Sequence, residues 1–217
     1  MSYNPNPNPS GPAYTPGGSY NQSGPSSPMV SQAGIQDIIN SWTRALTQPS
    51  VQTLAAEVPR TSQNRIIMSV GLATVVSAII GLITGVFTPG GFVGGFVSSL
   101  IGTPLRFLIV AAVLYFAARM MKGTGTFEQT AWVLSTFYAP LLIVQSLHIP
   151  LLGGLIGLVA SIYSIYLIYL TLQAVHRLDG TNAIVAMLLS VGIAIVVFIV
   201  LAIVTLPFAF LSGLMFG

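Results

Sequence analysis

Beyond Arg65 the sequence is a series of long apolar stretches with almost no charge. Arg106, Arg119, Lys122, Glu128, Arg177 and Asp179 are the only Lys, Arg, Asp or Glu residues from there to Gly217. About 20 apolar residues cross ~30 Å of hydrocarbon as a helix, and a span must satisfy its own backbone hydrogen bonds. Five such stretches are predicted as spans, at about 66–87, 104–121, 127–147, 150–177 and 183–206. Charged residues make up 5% of the chain, hydrophobic residues 53%, and the mean hydropathy is +0.85. A soluble domain carries roughly 25% charge, so an ordinary cytosolic enzyme is excluded. The expected fold class is an all-α membrane protein, a five-transmembrane-helix bundle.

Punctuation sets the boundaries. Thr88-Pro89-Gly90-Gly91 closes the first span, and the Gly-rich segment after it reads as a link. Thr103 and Pro104 read as N-cap and first helical position of the second span, since proline has no donor to lose there. Thr126 and Gln129 have the spacing of a capping box opening the third. Pro150 opens the fourth, Asn182 caps the fifth, and Pro207 closes the 65–207 membrane domain ahead of a short C-terminal segment, 208–217.

The N-terminal part is different. Residues 1–33 are rich in Asn, Pro, Ser and Gly, carry no charge and have too little apolar surface to offset ordering entropy. They are expected to be a disordered tail. Segment 34–64 then places Ile35, Ile38, Ile39, Trp42 and Leu46 at helical spacing. Such an amphipathic helix either lies in the headgroup layer with its Trp at the interface or docks on the ends of the spans. Pro49 interrupts it and Ser50 precedes a second short apolar series.

Arg60, Arg65, Arg119, Lys122 and Arg177 fall in segments that share one side of the membrane, with Arg106 expected in the first turn of the second span. By the positive-inside rule the N-terminus is cytoplasmic and the C-terminus external. Ser69, Ala73, Ser77, Gly81 and Gly85 form a four-residue ladder of small side chains in the first span, and Gly153, Gly157 and Ser161 repeat it in the fourth. Small residues allow close backbone approach, as inner seams of a bundle or as the face of a homo-oligomer.

Little here performs chemistry. The carboxylates are Asp37, Glu57, Glu128 and Asp179, there is no cysteine, and His148 and His176 sit at opposite ends of their spans. No catalytic, cofactor or metal site is expected, and +3 net charge without a basic cluster does not suit nucleic acid. A solute path is the alternative function, using the Pro140 kink with Tyr138, and Tyr163, Tyr166, Tyr169 and Gln173 along the fourth span. Interhelical hydrogen bonding accounts for the same residues.

From Trp42 to Leu206 the chain resembles the Yip domain family of Ypt/Rab-interacting integral membrane proteins. The resemblance rests on Ser41-Trp42 with Leu46-Thr47-Gln48-Pro49, Gly125-Thr126-Phe127-Glu128-Gln129, Phe137-Tyr138-Ala139-Pro140, Ile149-Pro150, and Ala174-Val175-His176-Arg177-Leu178 after the tyrosine series. The acidic Asp-Leu-Tyr-Gly-Pro motif of eukaryotic members is missing, as in a prokaryotic member. The resemblance implies five spans, a cytoplasmic N-terminus, no enzymatic activity, and an adaptor or organiser role in membrane organisation or trafficking. Its partners are the bilayer and a membrane or cytoplasmic protein, a GTPase in the family. The expected partner surface comprises Ile35, Ile38, Trp42, Arg119, Lys122 and Glu128.

Overall fold

The computed structural model describes residues 32–85, 91–146 and 152–216. Every regular element among them is helical: α1 (Gln32–Thr47), α2 (Val51–Glu57), a short 3-10 turn (Val58–Arg60), α3 (Gln63–Thr84), α4 (Gly91–Met120), α5 (Phe127–Gln145), α6 (Leu152–His176) and α7 (Gly180–Phe216). Most of the expected tail, the Thr88–Gly90 stop, and His148 through Pro150 lie outside the described residues; Gln32 and Ala33, read as tail, open α1.

Local chemistry explains several ends. The Ser50 side chain accepts from the Thr53 N–H and starts α2 after the Pro49 break. Ser62 does the same for α3. Thr126 and Gln129 satisfy one another's backbone donors reciprocally, so the capping box forms. At α7 the cap is Asp179, not the expected Asn182: the Asn182 N–H donates to the Asp179 carboxylate at 2.7 Å.

Two span boundaries need correction. The Gly-rich segment before Pro104 is no link; α4 runs unbroken from Gly91 with Pro104 inside it. Neighbouring helices allow an internal proline in such a helix, and the glycines serve packing, as described below. Arg106 therefore lies mid-helix instead of in a first turn. Likewise α7 passes through Pro207 to Phe216.

Four of the described helices are long and apolar enough to span: Gln63–Thr84, Gly91–Met120, Gly153–His176 and Gly180–Val197. α5 does not meet that description. It sits at the centre, against α1, α3, α4 and α6, and every residue from Thr130 to Phe137 is buried. A helix surrounded by protein has no lipid face to coat, so its composition is freed to include Thr130, Ser135 and Thr136. Each of these hydroxyls donates to a carbonyl one turn back, at 2.7–2.8 Å. The surrounding helices turn exposed Ile, Val, Leu and Phe outward.

Candidate functional site: the charged end of the bundle

The charged side chains other than Arg106 gather at one end. α1 and α2 form a hairpin there, and its tip reaches well down the bundle: Tyr163 Oη donates to the Leu46 carbonyl at 2.6 Å. Tyr163 lies about 20 Å along α6 from His176 at 1.5 Å per residue. The end of α1 therefore packs against the middle of α6. Ile38 and Ala45 are buried, and Trp42 Nε1 donates to Ser69 Oγ at 2.9 Å, which in turn donates to the Ser135 carbonyl at 3.3 Å.

The hairpin closes on a buried carboxylate. The Glu57 side chain is 4% exposed and takes Arg44 at 2.9 Å and Arg60 at 3.1 Å, with Ser41 Oγ donating at 3.3 Å. Arg60 and Arg65 both pair with Asp37. The Glu57 carbonyl accepts from Trp132 Nε1 at 3.0 Å, and the Arg65 guanidinium stands over the Trp132 ring, 5.1 Å from its centre, a cation–π arrangement. Exposed ion pairs contribute little, but a carboxylate this deep is costly to strand without its partners.

A second cluster joins the α4–α5 turn to the end of α6. His176 is buried with Nε2 2.9 Å from Thr130 Oγ1. That hydroxyl's proton goes to the Thr126 carbonyl, so His176 Nε2 is the donor and Nδ1 is left as an acceptor without a partner among the described residues. The Thr124 N–H donates to the His176 carbonyl at 3.2 Å. A Cβ on Gly123 would come within 2.8 Å of His176 Cβ, and one on Gly125 within 2.8 Å of the Val175 carbonyl. Only glycine admits this approach. Beside it lies an open groove of about 640 Å³, edged by Ala55, Pro59, Gln129, Ala174 and Arg177.

The expected partner surface is divided by this arrangement. Arg119, Lys122 and Glu128 are exposed. Ile38 is buried, while Trp42, bonded to Ser69, and Ile35, beside α3, are half-buried.

The small-residue ladders also divide. Ser69, Ala73, Ser77, Gly81 and Gly85 are all buried. A Cβ on Gly81 would stand 2.5 Å from the Gly95 carbonyl, and one on Gly85 2.7 Å from the Gly91 carbonyl, so α3 and α4 meet backbone to backbone at the far end. In α6 the inner-seam expectation is corrected: Ser161 is exposed, Gly153 half-buried, and no described atom lies within 4 Å of a Cβ on Gly157. Gly157 and Ser161 turn away from the described neighbouring helices.

The tyrosines do not line one path. Tyr163 holds α1, Tyr166 is exposed, and Tyr169 Oη lies 3.1 Å from where a Gly180 Cβ would be. Gln173 and Pro140 are half-buried. Tyr138 is half-buried within electrostatic reach of Arg106, the cation that the uninterrupted α4 places mid-helix. No three of His, Asp and Glu gather as a metal site among the described residues.

The Yip1 domain family matches residues 43–203. The chain belongs to that family. No curated protein and no solved structure gives a match. The Yip1 match runs from the end of α1 into α7 and includes Arg44, Glu57, Arg60, Arg65, Thr130 and His176, while Asp37, Ser41 and Trp42 precede it. Sequence reading missed Glu57, Trp132 and His176 as organisers. Their signal was present: Asp37, Ser41 and Arg44 share one face of α1, and Glu57 and Arg60 are one turn apart. A face so ordered in charge and hydroxyl is matched to a protein partner.

Proposed function

We propose that the chain is a non-enzymatic membrane adaptor of the Yip type with five spans, α5 being the fifth, and its charged end in the cytoplasm. The observation that carries this reading is the distribution of polar groups. Asp37, Glu57, Arg44, Arg60 and Arg65 are committed to holding the hairpin, while Arg119, Lys122 and Glu128 stay exposed around a rigid turn. A surface fixed by buried contacts and presenting free charge suits capture of a partner, and membership of the Yip1 family supports a GTPase in that role. The positive-inside rule supports the orientation.

The test is site-specific photocross-linking from Glu128 and from Thr43, on the exposed face of α1, in native membranes. The adaptor reading expects a discrete partner whose capture falls at least tenfold with Glu128→Arg or Lys122→Glu while the protein stays folded. Capture indifferent to both substitutions, with saturable solute flux in proteoliposomes lost on Tyr138→Phe, would replace the adaptor by a transporter. Topology reporters placed after Lys122 and after Ser146 should read opposite faces; the same face would remove α5 as a span.

A further inference from the structure

The arginines and lysine of the charged end fall into two groups. Arg44, Arg60 and Arg65 are paired with Asp37 and Glu57. Arg119, Lys122 and Arg177 have no carboxylate partner among the described residues; Arg119 donates to the neutral Gly123 carbonyl at 3.0 Å. The second group is also conformationally unusual. Lys122 (φ 63°) and Arg177 (φ 55°) are the only non-glycine residues among those described with positive φ. Each stands just past the end of a helix, where the left-handed position is normally filled by Gly or Asn, and a residue bearing a Cβ is roughly 1 kcal/mol worse there. The chain accepts that strain twice, with a long cation both times.

The two strained positions flank one contact. A Cβ on Gly123 would come within 2.8 Å of the His176 side chain, and the Thr124 N–H donates to the His176 carbonyl; Lys122 precedes Gly123 and Arg177 follows His176, each one Cα step of about 3.8 Å away. The nearby carboxylates are Glu128, in the first turn of α5, and Asp179, which is engaged in capping Asn182 at the start of α7. One turn back along α4, Phe116 is 60% and Met120 66% exposed. The basic rim therefore borders an apolar face of a spanning helix.

We propose that Arg119, Lys122 and Arg177 form a binding site for the phosphate of an anionic phospholipid, whose acyl chains lie along Phe116 and Met120. Charge complementarity selects the headgroup, and the adjoining apolar face selects a lipid over a soluble anion. The glycine-lined contact holds the two strained backbones together.

The test uses the full-length protein in phosphatidylcholine nanodiscs, with phosphatidylglycerol as the probe lipid and retained lipid counted by native mass spectrometry. Phosphatidylglycerol should be retained over phosphatidylcholine, and less so as salt rises. Lys122→Gly with Arg177→Gly removes both charges and relieves both strained positions. The proposal expects about a twentyfold loss of phosphatidylglycerol affinity, roughly fivefold per cation, with no fall in melting temperature. Lys122→Asn with Arg177→Asn, also tolerated at positive φ, should behave alike. Unchanged retention in both double variants would overturn the site and leave the cations a role at the helix ends alone. Equal protection by free inorganic phosphate would overturn the lipid assignment. Arg119 and Lys122 serve both readings, so partner capture is read from Glu128→Arg, which removes none of the three cations, and the two readings then fail independently.

Discussion

The two ends of the bundle hold their helices together by opposite means. At the charged end, α1, α2, α3 and α5 are joined by directional contacts: a carboxylate between arginines, two indole donors, and hydroxyls passing hydrogen bonds inward. At the far end, α3 and α4 meet through Gly81, Gly85, Gly91 and Gly95, with the small Ser99 side chain beside Gly81. Lipid gives apolar helices no hydrophobic reason to associate. Close dispersion contact serves where the sequence is uniformly apolar, and hydrogen bonding serves where water and charge are near. The first tolerates no added atoms, and the second tolerates no lost partner.

The sharpest way to break the charged end is Glu57→Ala. It leaves the half-exposed Arg44 without a carboxylate and frees Ser41, while Arg60 keeps Asp37, and the expected loss is about 1.5–3 kcal/mol, as for hydrogen bonds to a charged group. Urea or mild SDS titration of the reconstituted protein would read it, with protease access to α1 as a local report. The matching insult at the far end is Gly81→Leu, which drives a side chain into the Gly95 carbonyl. Overpacking of this kind costs about 1–3 kcal/mol and sometimes more, so a clear drop in melting temperature in detergent is expected without loss of membrane insertion. Wild-type stability would mean the glycine seam does not hold α3 to α4.

Smaller effects refine the contrast. Trp132→Phe keeps the ring but leaves the Glu57 carbonyl without its donor, for an expected cost of about 1–3 kcal/mol. Smallest of all is Gly157→Ala in α6, at a site with open space around it, which should change stability by less than about 0.5 kcal/mol. A larger loss there would return α6 to the inner seams.

Much of this was readable in the residues. Local chemistry spoke plainly: Pro49 and Ser50 mark the hairpin turn, and Thr126 with Gln129 marks the start of α5. Helix packing did not. The glycines between Gly91 and Gly102 carry low helix propensity in water, but Gly91 and Gly95 supply the clearance that α3 requires, so tertiary contact overrides the local signal and α4 continues through them. The α6 ladder has the same spacing as the α3 ladder, and spacing alone names no partner. Similarly, the apolar stripe of α1 suits a headgroup layer or a protein surface equally well; the partners it meets in the bundle, Ser69 and Tyr163, are distant in sequence. For the same reason α5 was counted from its punctuation as a span like the others, although its burial by other helices gives it a different composition.

The reach of those last contacts has a consequence for how the chain is made. Trp132 meets Glu57 across 75 residues of sequence, and Tyr163 meets Leu46 across 117. At a synthesis rate of about 5–20 residues per second, α1 is complete on the order of 10 s before the tyrosine that receives its end exists. During that interval α1 can seat on α3 and α5, but α2 and the end of α1 have no α6 to pack against. Maturation therefore ends with the beginning of the chain: closure of the hairpin tip waits for α6, and a defect in α6 would show itself as a loosened Leu46–Glu57 segment.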